Sequence, residues 1–403
     1  MNENSGIPVL DVDPYSAENL TDPYPMHALM RSAGPVVRLK DYPTVVACAR
    51  HQETHAVFND AQTFISGAGV GLANFNIEKP FRPRSLILEA DAPLHTATRA
   101  VLSRIMSPKT VMQIRASFAQ EAERLLDKAL ELNAANGSID WMAVVANPFP
   151  LKVFADSIGI QEEGRENLLL YGDMVFNSMG PQNEVFTKSV ERVVPVTQWI
   201  MDQCDRSKLR PGGFGDLIWQ AAEAGEISME QAPMLVRSLL SAGLDTTINS
   251  LGNAIYALGH HPQEYARLHS DPSLARPAFE EALRWESTVQ TFFRTANRDC
   301  EIAGVPIAAQ TKVLCMLASA NRDPDKWPDA DTYDIGRRPS GHMAFGSGLH
   351  GCVGQAIARL EGELILTALA KRVKGIEFAG PHTRRLNNTL RAFDTLPVRL
   401  IPA

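Results

Sequence analysis

The chain has 403 residues, of which 45% are hydrophobic and 21% are charged, a composition typical of a globular protein with a large apolar core. Its 46 acidic residues outnumber its 39 basic residues and give a net charge of −7, which argues against a nucleic-acid-binding protein. Five scattered cysteines indicate reduced thiols, and the lack of a long apolar run or a basic-then-apolar N-terminus predicts a cytoplasmic protein without a membrane segment.

Length alone suggests two or three domains. Residues 25–32 and 53–59 predict short helices, and residues 36–39 and 44–47 predict a pair of strands. Residues 67–93 are rich in glycine and proline, which predicts a long irregular segment. Because such segments in compact proteins are usually functional or disordered, and this one contains apolar residues, we interpret it as a loop that covers a ligand.

From residue 95 to about residue 259 the pattern is mainly helical, with breaks at Pro108, at residues 133–138 and at residues 210–213. Residues 233–259 predict one long helix. Its centre, from Ser241 to Thr247, contains Gly and Thr, which are weak helix formers, so a kink or a widened turn is expected there. Asp245 lies in this centre, and a carboxylate among apolar residues is energetically costly, which indicates a functional role. The alternative is that Asp245 lies on a solvated face of the helix.

Beyond this helix, a Glu-x-x-Arg pattern places Glu281 and Arg284 on one helical face. Residues 288–317 predict strands, and residues 386–401 predict a hairpin.

Residues 345–354 read Phe-Gly-Ser-Gly-Leu-His-Gly-Cys-Val-Gly and precede a segment with helical periodicity. The backbone N–H groups and the dipole of a helix N-terminus favour a thiolate at Cys352, and the glycines admit a large flat ligand. A buried structural thiol is the alternative for a lone cysteine.

These ten residues match the pattern Phe-Gly-x-Gly-x-His-x-Cys-x-Gly, and the chain resembles the cytochrome P450 family. The resemblance implies one domain over residues 1–403. It implies a mainly α fold with small β-sheets, in which the long central helix covers the distal face of the haem and the Cys loop covers the proximal face. It also implies haem b as the cofactor, with Cys352 as the thiolate ligand of the iron.

Further positions follow from the same resemblance. Thr246 would hydrogen-bond dioxygen in the distal pocket, and Asp245 would relay protons to it. Glu281, Arg284 and Arg337 correspond to a structural triad of the family. The positions expected to contact the haem are His95, Arg99, Arg294, Phe345, Gly346 and His350.

Several segments, residues 82–91 and 235–241 among them, resemble bacterial enzymes that oxidise para-substituted benzoic acids. The resemblance implies Ser85 and Ser238 as donors to the substrate carboxylate, with Arg82 and Arg237 as counter-charges. Solvated arginines are the alternative for those two positions. The other expected pocket residues are Leu88, Phe176, Met179, Ser241, Ala242, Val289 and Phe292. Met179 stands where those relatives have Phe, which favours a looser pocket.

The implied activity is O-demethylation or hydroxylation of a para-substituted benzoate such as 4-methoxybenzoate with O2. Electrons would come from an iron–sulfur ferredoxin and its reductase, because the chain has no nucleotide site and no Cys-rich cluster motif. The alternatives are a peroxide-using haem-thiolate enzyme, a monooxygenase acting on another small aromatic or aliphatic acid, and a haem-based sensor.

Overall fold

Residues 6–403, which the computed structural model describes, form sixteen α-helices and thirteen β-strands. The helices are α1 (Ala17–Thr21), α2 (Tyr24–Ala33), α3 (His51–Asn59), α4 (Leu94–Ile105), α5 (Pro108–Asn136), α6 (Pro148–Ile158), α7 (Asn167–Asn177), α8 (Glu184–Val193), α9 (Thr197–Asp202), α10 (Phe214–Glu223), α11 (Gln231–Ala242), α12 (Asp245–His260), α13 (Pro262–Ser270), α14 (Ala275–Trp285), α15 (Leu317–Ala320) and α16 (Gln355–Arg372). The predicted fold class, mainly α with small β-sheets, is confirmed. No helix within residues 6–403 combines the length and the hydrophobicity needed to cross a membrane.

The strands form four small sheets. They are β1 (Val9–Leu10), β2 (Val37–Leu39), β3 (Tyr42–Cys48), β4 (Phe64–Ile65), β5 (Ile139–Asp140), β6 (Thr291–Ala296), β7 (Cys300–Ile302), β8 (Val305–Ile307), β9 (Lys312–Met316), β10 (Val373–Phe378), β11 (Thr383–Arg385), β12 (Ala392–Thr395) and β13 (Pro397–Pro402). The largest sheet has the order β1-β2-β3-β9-β6-β4, and its β3–β9 pair is parallel. The strand pair predicted at residues 36–39 and 44–47 and the strands predicted within residues 288–317 are confirmed. The hairpin predicted over residues 386–401 is wrong in its pairing, because β12 pairs with β11 and β13 joins a different sheet between β10 and β5.

Helix α5 begins as the sequence predicts but ends later. The Ser107 side chain accepts a hydrogen bond from the Thr110 amide, and Pro108 occupies the first turn. The predicted loop at residues 133–138 is wrong, because the helix continues to Asn136. Asn133 is buried and exchanges two hydrogen bonds with the backbone of Leu400, at 2.8 and 2.9 Å, which holds the last turn against β13.

The helix predicted over residues 233–259 is divided into α11, which ends at Ala242, and α12, which begins at Asp245. Gly243 and Leu244 keep right-handed helical backbone angles, so the distortion expected at the weak centre takes the form of a short break in the hydrogen-bond pattern between two consecutive helices. A Cβ atom built on Gly243 would overlap the ring of Phe154. Only glycine therefore lets α6 approach the break this closely.

The irregular segment is as long as predicted, and within residues 66–93 the described chain has neither a helix nor a strand. Polar contacts hold both of its ends. The carboxylate of Asp91 accepts hydrogen bonds from the amides of Ser66 and Gly67, each at 2.9 Å. Buried Lys312 donates to the Gly69 carbonyl at 2.7 Å. These contacts therefore hold the segment in an ordered conformation.

The predicted scaffold triad is assembled in the core. Glu281 and Arg284 form an ion pair at 2.7 Å with both side chains fully buried, and Arg337 joins Glu281 at 3.0 Å. Arg284 also donates to the carbonyls of Asn321 and Ala330, at 2.9 and 2.7 Å. The triad therefore ties α14 to the chain that leads into the Cys loop.

A second buried cluster, around Glu286, gives a prediction about acid stability. Burial raises the pKa of Glu286, but the charges of Arg391 and Arg384 outweigh this effect and lower it to about 2. Because this pKa lies below the ordinary value of 4.5, the ionised carboxylate stabilises the fold fully above pH 4.5. That stabilisation is lost as the pH falls towards 2. We expect Glu286→Gln to lower the thermal midpoint at pH 7 and to lose this deficit progressively between pH 4.5 and 2.

Thermal unfolding of both proteins, followed by circular dichroism across this pH range, measures the effect. Glu131→Gln on the exposed face of α5 is the matched control and should show no such convergence. A deficit in Glu286→Gln that does not change between pH 5 and 2.5 would contradict the assignment.

Candidate active site

A large cavity lies between the Cys loop and the break between α11 and α12. It holds about 1460 Å³ of empty space, including its opening to solvent. Cys352 lines it from the Cys loop, and Thr246 lines it from the first turn of α12. The remaining lining side chains are mostly apolar. The fold thus brings the Cys loop and the weak centre of the predicted long helix to the same cavity.

The backbone of the Cys loop is shaped around the thiol. The Cys352 amide donates to the Phe345 carbonyl at 2.8 Å, and Gly346 and Gly348 have φ angles of 66° and 64°, which favour glycine. Burial raises the pKa of the Cys352 thiol, although the amides of Gly354 and Gln355 hydrogen-bond to it and oppose the shift. A bound metal ion removes the proton from a coordinating thiol, so these amides are placed to stabilise a thiolate ligand.

Side chains whose hydrogen-bonding groups are wholly or partly without partners lie at the edge of this cavity. Neither ring nitrogen of His95 has a hydrogen-bond partner among residues 6–403, and the same holds for Nε2 of His350. The two rings contact each other, with centroids 4.2 Å apart. Arg294 is buried, and its guanidinium donates to the Phe293 carbonyl at 2.7 Å. Arg99 donates to the Gly351 carbonyl at 2.6 Å.

Buried donors of this kind require an acceptor. Two carboxylates, such as the propionates of haem b, would satisfy them, and the apolar walls suit a porphyrin. Phe345 and Gly346 line the same cavity, beside Cys352. The residues predicted to contact the cofactor are therefore brought together, and the site fits haem b.

Asp245 and Thr246, which were both expected to act in the distal pocket, are arranged differently from that expectation. Thr246 faces the cavity, and its hydroxyl donates to the Ala242 carbonyl at 3.1 Å. Asp245 does not line the cavity. Its Oδ1 atom accepts hydrogen bonds from Arg385 at 2.8 Å and from Asn249 at 3.2 Å. Its Oδ2 atom is buried and has no partner in the described chain.

Sequence reasoning missed the partners of Asp245. Arg385 lies 140 residues away, on β11, and its Nε atom is 3.6 Å from a second buried acid, Asp173 on α7. Burial raises the pKa of Asp173, although Arg385 opposes that shift. No local pattern marks either residue as a partner, because only the packing of β11 and α7 around α12 brings them together.

The predicted substrate residues divide into two groups. Ser85 and Ser238 both line the cavity, and their hydroxyl oxygens are 3.3 Å apart. Apolar side chains complete this part of the wall. The predicted residues among them are Leu88, Phe176, Ala242, Val289 and Phe292.

The second group lies off the cavity. Arg82 forms a two-point ion pair with Glu89, at 2.9 and 3.0 Å. Arg237 donates to the carbonyls of residues 83 and 84, at 3.2 and 3.0 Å. Ser241 donates to the Ser238 carbonyl at 3.1 Å, and Met179 lines a neighbouring cavity beside Arg82. The arginines therefore do not reach the wall on which the serines lie, and Met179 does not shape it.

Comparison with known proteins agrees with this geometry. The family model described as Cytochrome P450 matches residues 273–374, which include the scaffold triad and the Cys loop. The chain is 54% identical over 399 residues to Cytochrome p450 CYP199A2 of Rhodopseudomonas palustris, covering 99% of this chain and 96% of the relative. It is 32% identical to Putative cytochrome P450 140 of Mycobacterium tuberculosis, covering 95% of this chain and 90% of the relative.

Among solved structures, Cytochrome P450 CYP109Q5 from Chondromyces apiculatus superposes with a TM-score of 0.80 at 29% identity. The match covers 98% of this chain and 99% of that one. Since the cavity fits haem b and the likeness to a bacterial relative extends over almost every residue, the chain belongs to the cytochrome P450 family and is a haem-dependent monooxygenase.

Proposed function

We propose that this monooxygenase oxidises para-substituted benzoic acids, for example by O-demethylating 4-methoxybenzoate. Two adjacent hydroxyls in an otherwise mainly apolar cavity carry the proposal, because they suit a carboxylate attached to an aromatic ring. Electrons would come from an iron–sulfur ferredoxin and its reductase. We also propose a single domain over residues 1–403, which is supported by one hydrophobic cluster with members from Val70 to Leu400.

Ser85 is the member of the serine pair that can donate to an anion. The Ser238 hydroxyl already donates to the Met234 carbonyl at 2.9 Å. The Ser85 hydroxyl oxygen accepts from the Leu88 amide at 3.1 Å and lies 3.3 Å from that of Ser238, so its proton can turn from Ser238 to a ligand. Arg237 contacts the carbonyl of residue 84, at the peptide bond that leads to Ser85. Its positive charge therefore lies behind the serine and favours a carboxylate there without direct contact.

Arg82 makes a smaller contribution in this arrangement. Its charge is balanced by Glu89, whose carboxylate also accepts the Ser85 amide at 2.8 Å. Arg82 thus stabilises the turn that presents the Ser85 hydroxyl. It acts as a positioning residue and not as a counter-charge.

Apolar side chains orient the ring. Phe176, Val289 and Phe292 line the cavity with Leu88, and Ala242 leaves space near the break in the helix. A ring anchored through its carboxylate presents its para substituent in one direction, so position alone selects the carbon that is oxidised. Haem held by Cys352 supplies the chemistry of oxygen activation. Oxidation of a methoxy carbon yields a hemiacetal, which loses formaldehyde.

An optical titration tests the proposal. Addition of 4-methoxybenzoate to the ferric haem-loaded protein should shift the Soret band towards high spin, whereas the neutral methyl ester should cause little shift. We expect Ser85→Ala and Ser238→Ala each to weaken binding of the acid about 10-fold to 100-fold, because a hydrogen bond to a charged group contributes about 1.5–3 kcal/mol.

Ser157→Ala is the matched control. The Ser157 hydroxyl donates to the carbonyl four residues earlier at 2.9 Å, as that of Ser238 does, but it lies on α6 outside the cavity lining. Equal shifts by the acid and the ester would refute the benzoate proposal. Turnover with hydrogen peroxide alone, at the rate reached with a ferredoxin system, would refute the proposed electron source.

A further inference from the structure

The turn that joins β11 to β12 is polar in sequence but buried in the fold. Asn387, Asn388 and Thr389 are 2%, 3% and 1% exposed. None of the three lines the active-site cavity, so the proposed function does not use them. Buried amides and hydroxyls of this kind require hydrogen-bond partners. The partners of this turn lie on the elements that form the wall of the cavity.

The Asn388 side chain joins the end of α7 to the start of α8. Its Nδ2 atom donates to the Asn177 carbonyl at 3.0 Å and to the Pro181 carbonyl at 3.2 Å. Asn388 and Asn183 exchange side-chain amide hydrogen bonds at 2.8 and 3.1 Å, and Asn183 also caps the N-terminus of α8. One buried side chain therefore holds both ends of the connection formed by residues 178–182.

This connection is enclosed on two sides. A Cβ atom built on Gly180 would lie 2.5 Å from the Cβ atom of Asn388, so only glycine permits this approach. On the other side, the Met179 carbonyl accepts a hydrogen bond from the Leu72 amide at 2.8 Å. The connection is thus fixed between the Asn388 turn and the irregular segment described above.

The same turn reaches two residues of the cavity wall. Phe176, in the last turn of α7, lines the cavity, and its carbonyl accepts the Thr389 hydroxyl at 2.9 Å. Val289 also lines the cavity, and it pairs with Leu390 in an isolated β-bridge. The Gln290 amide donates to the Thr389 carbonyl at 2.8 Å. The turn therefore connects Phe176 and Val289 through contacts that lie outside the cavity.

We infer that Asn388 is a positioning residue for ligand binding, which holds the end of α7 so that Phe176 packs against a ring in the cavity. Its side chain does not touch the ligand and acts through α7. Without it, the carbonyls of Asn177 and Pro181 and the amide of Asn183 lose a buried partner, and displacement of the connection towards water becomes favourable. The inference rests on the proposed role of Phe176 in binding the ring.

Asn388→Ala in the ferric haem-loaded protein tests this role. The dissociation constant for 4-methoxybenzoate, measured from the Soret shift, should rise about 10-fold, because the hydrogen bonds that hold α7 over the ligand are lost. The spectrum at saturating acid should match that of the wild type, since Asn388 is not part of the cavity lining.

Hydrogen exchange of the ligand-free protein gives a second readout that needs neither substrate nor electron donor. The amides of residues 176–187 should exchange faster in Asn388→Ala than in the wild type, whereas α16 should keep its protection. Gly180→Ala is a second variant, because its methyl group displaces the connection from the Asn388 side chain. It should change the affinity and the exchange in the same direction.

Asn133→Ala is the matched control. Asn133 is also a buried asparagine that exchanges two hydrogen bonds with a distant part of the chain, but it lies at the end of α5 and contacts β13. It should lower the thermal midpoint without changing the affinity for the acid or the exchange of residues 176–187. Equal losses of affinity in Asn133→Ala and Asn388→Ala, or wild-type exchange of residues 176–187 in Asn388→Ala, would overturn the inference.

Failure of the benzoate proposal is distinguishable from failure of this inference. If 4-methoxybenzoate leaves the wild-type Soret band unchanged, the benzoate proposal fails, and imidazole, which binds ferric haem iron, replaces the acid as the probe. Imidazole should then reach the iron faster in Asn388→Ala than in Asn133→Ala, because the end of α7 is less firmly held. Equal association rates in the two variants would refute the positioning role.

Discussion

Asp245→Asn is expected to lower the rate of product formation about 100-fold or more, because the family resemblance implies that Asp245 relays protons and removal of a general acid has an effect of this size. Asparagine keeps the shape of the side chain and an oxygen that accepts from Arg385, but it has no acidic proton. Arg385 retains Asp173 as a counter-charge at 3.6 Å, so the fold should persist. Steady-state product formation with a surrogate ferredoxin and reductase measures the effect, and the Soret shift on substrate binding should be unchanged.

Asp173→Asn separates proton relay from damage to the Arg385 cluster. It removes the other buried acid that contacts Arg385 but leaves Asp245 intact. A much smaller loss of activity in Asp173→Asn is the expected result. Equal losses in the two variants would mean that Asp245 acts by holding Arg385 in place.

Arg284→Met is expected to destabilise the protein by about 3–5 kcal/mol, because it leaves the Glu281 carboxylate buried with a single arginine partner. Stabilities of whole proteins are only about 5–15 kcal/mol, so haem incorporation should fail in much of the expressed protein. Both side chains are fully buried, and Arg284 also satisfies carbonyls in the chain that leads to Arg337. Haem content per polypeptide and thermal unfolding measure the loss.

Arg124→Met is the matched control, since Arg124 forms an ion pair with Glu121 at the same three-residue spacing. That pair lies at the surface, with the Arg124 side chain 59% exposed, and such pairs contribute about 1 kcal/mol or less. A cost for Arg284→Met as small as that for Arg124→Met would contradict the scaffold role.

Contiguous motifs made part of this site predictable. The Cys loop places its glycines and its cysteine within ten residues, and the resulting backbone is determined locally. The break in the central helix was only half predictable. Weak helix formers marked the position, but no local pattern showed that α11 ends at Ala242 or that Phe154 packs against Gly243. Intrinsic helix propensity indicates where a helix is weak, and tertiary packing determines whether the helix kinks or ends there.

The direction of a charged side chain was not predictable. Arg82 and Arg237 occupy the expected positions in the chain, yet Glu89 and two backbone carbonyls are their partners.

The contacts of the irregular segment determine where the protein opens most easily. Asp91 and Lys312 fix its two ends, and Arg237 holds residues 83 and 84. Residues 77–81 have fewer contacts, since residue Ile77 is 76% exposed and Phe81 packs against Phe186 at the surface. Within this segment the amides of Lys79 and Phe81 should exchange first, because those of Ile77 and Glu78 donate to the Asn74 carbonyl, and proteases should cut the segment here first. A local fluctuation of these few residues would open the neighbouring cavity that Phe81 and Arg82 line, while the helical core stays closed.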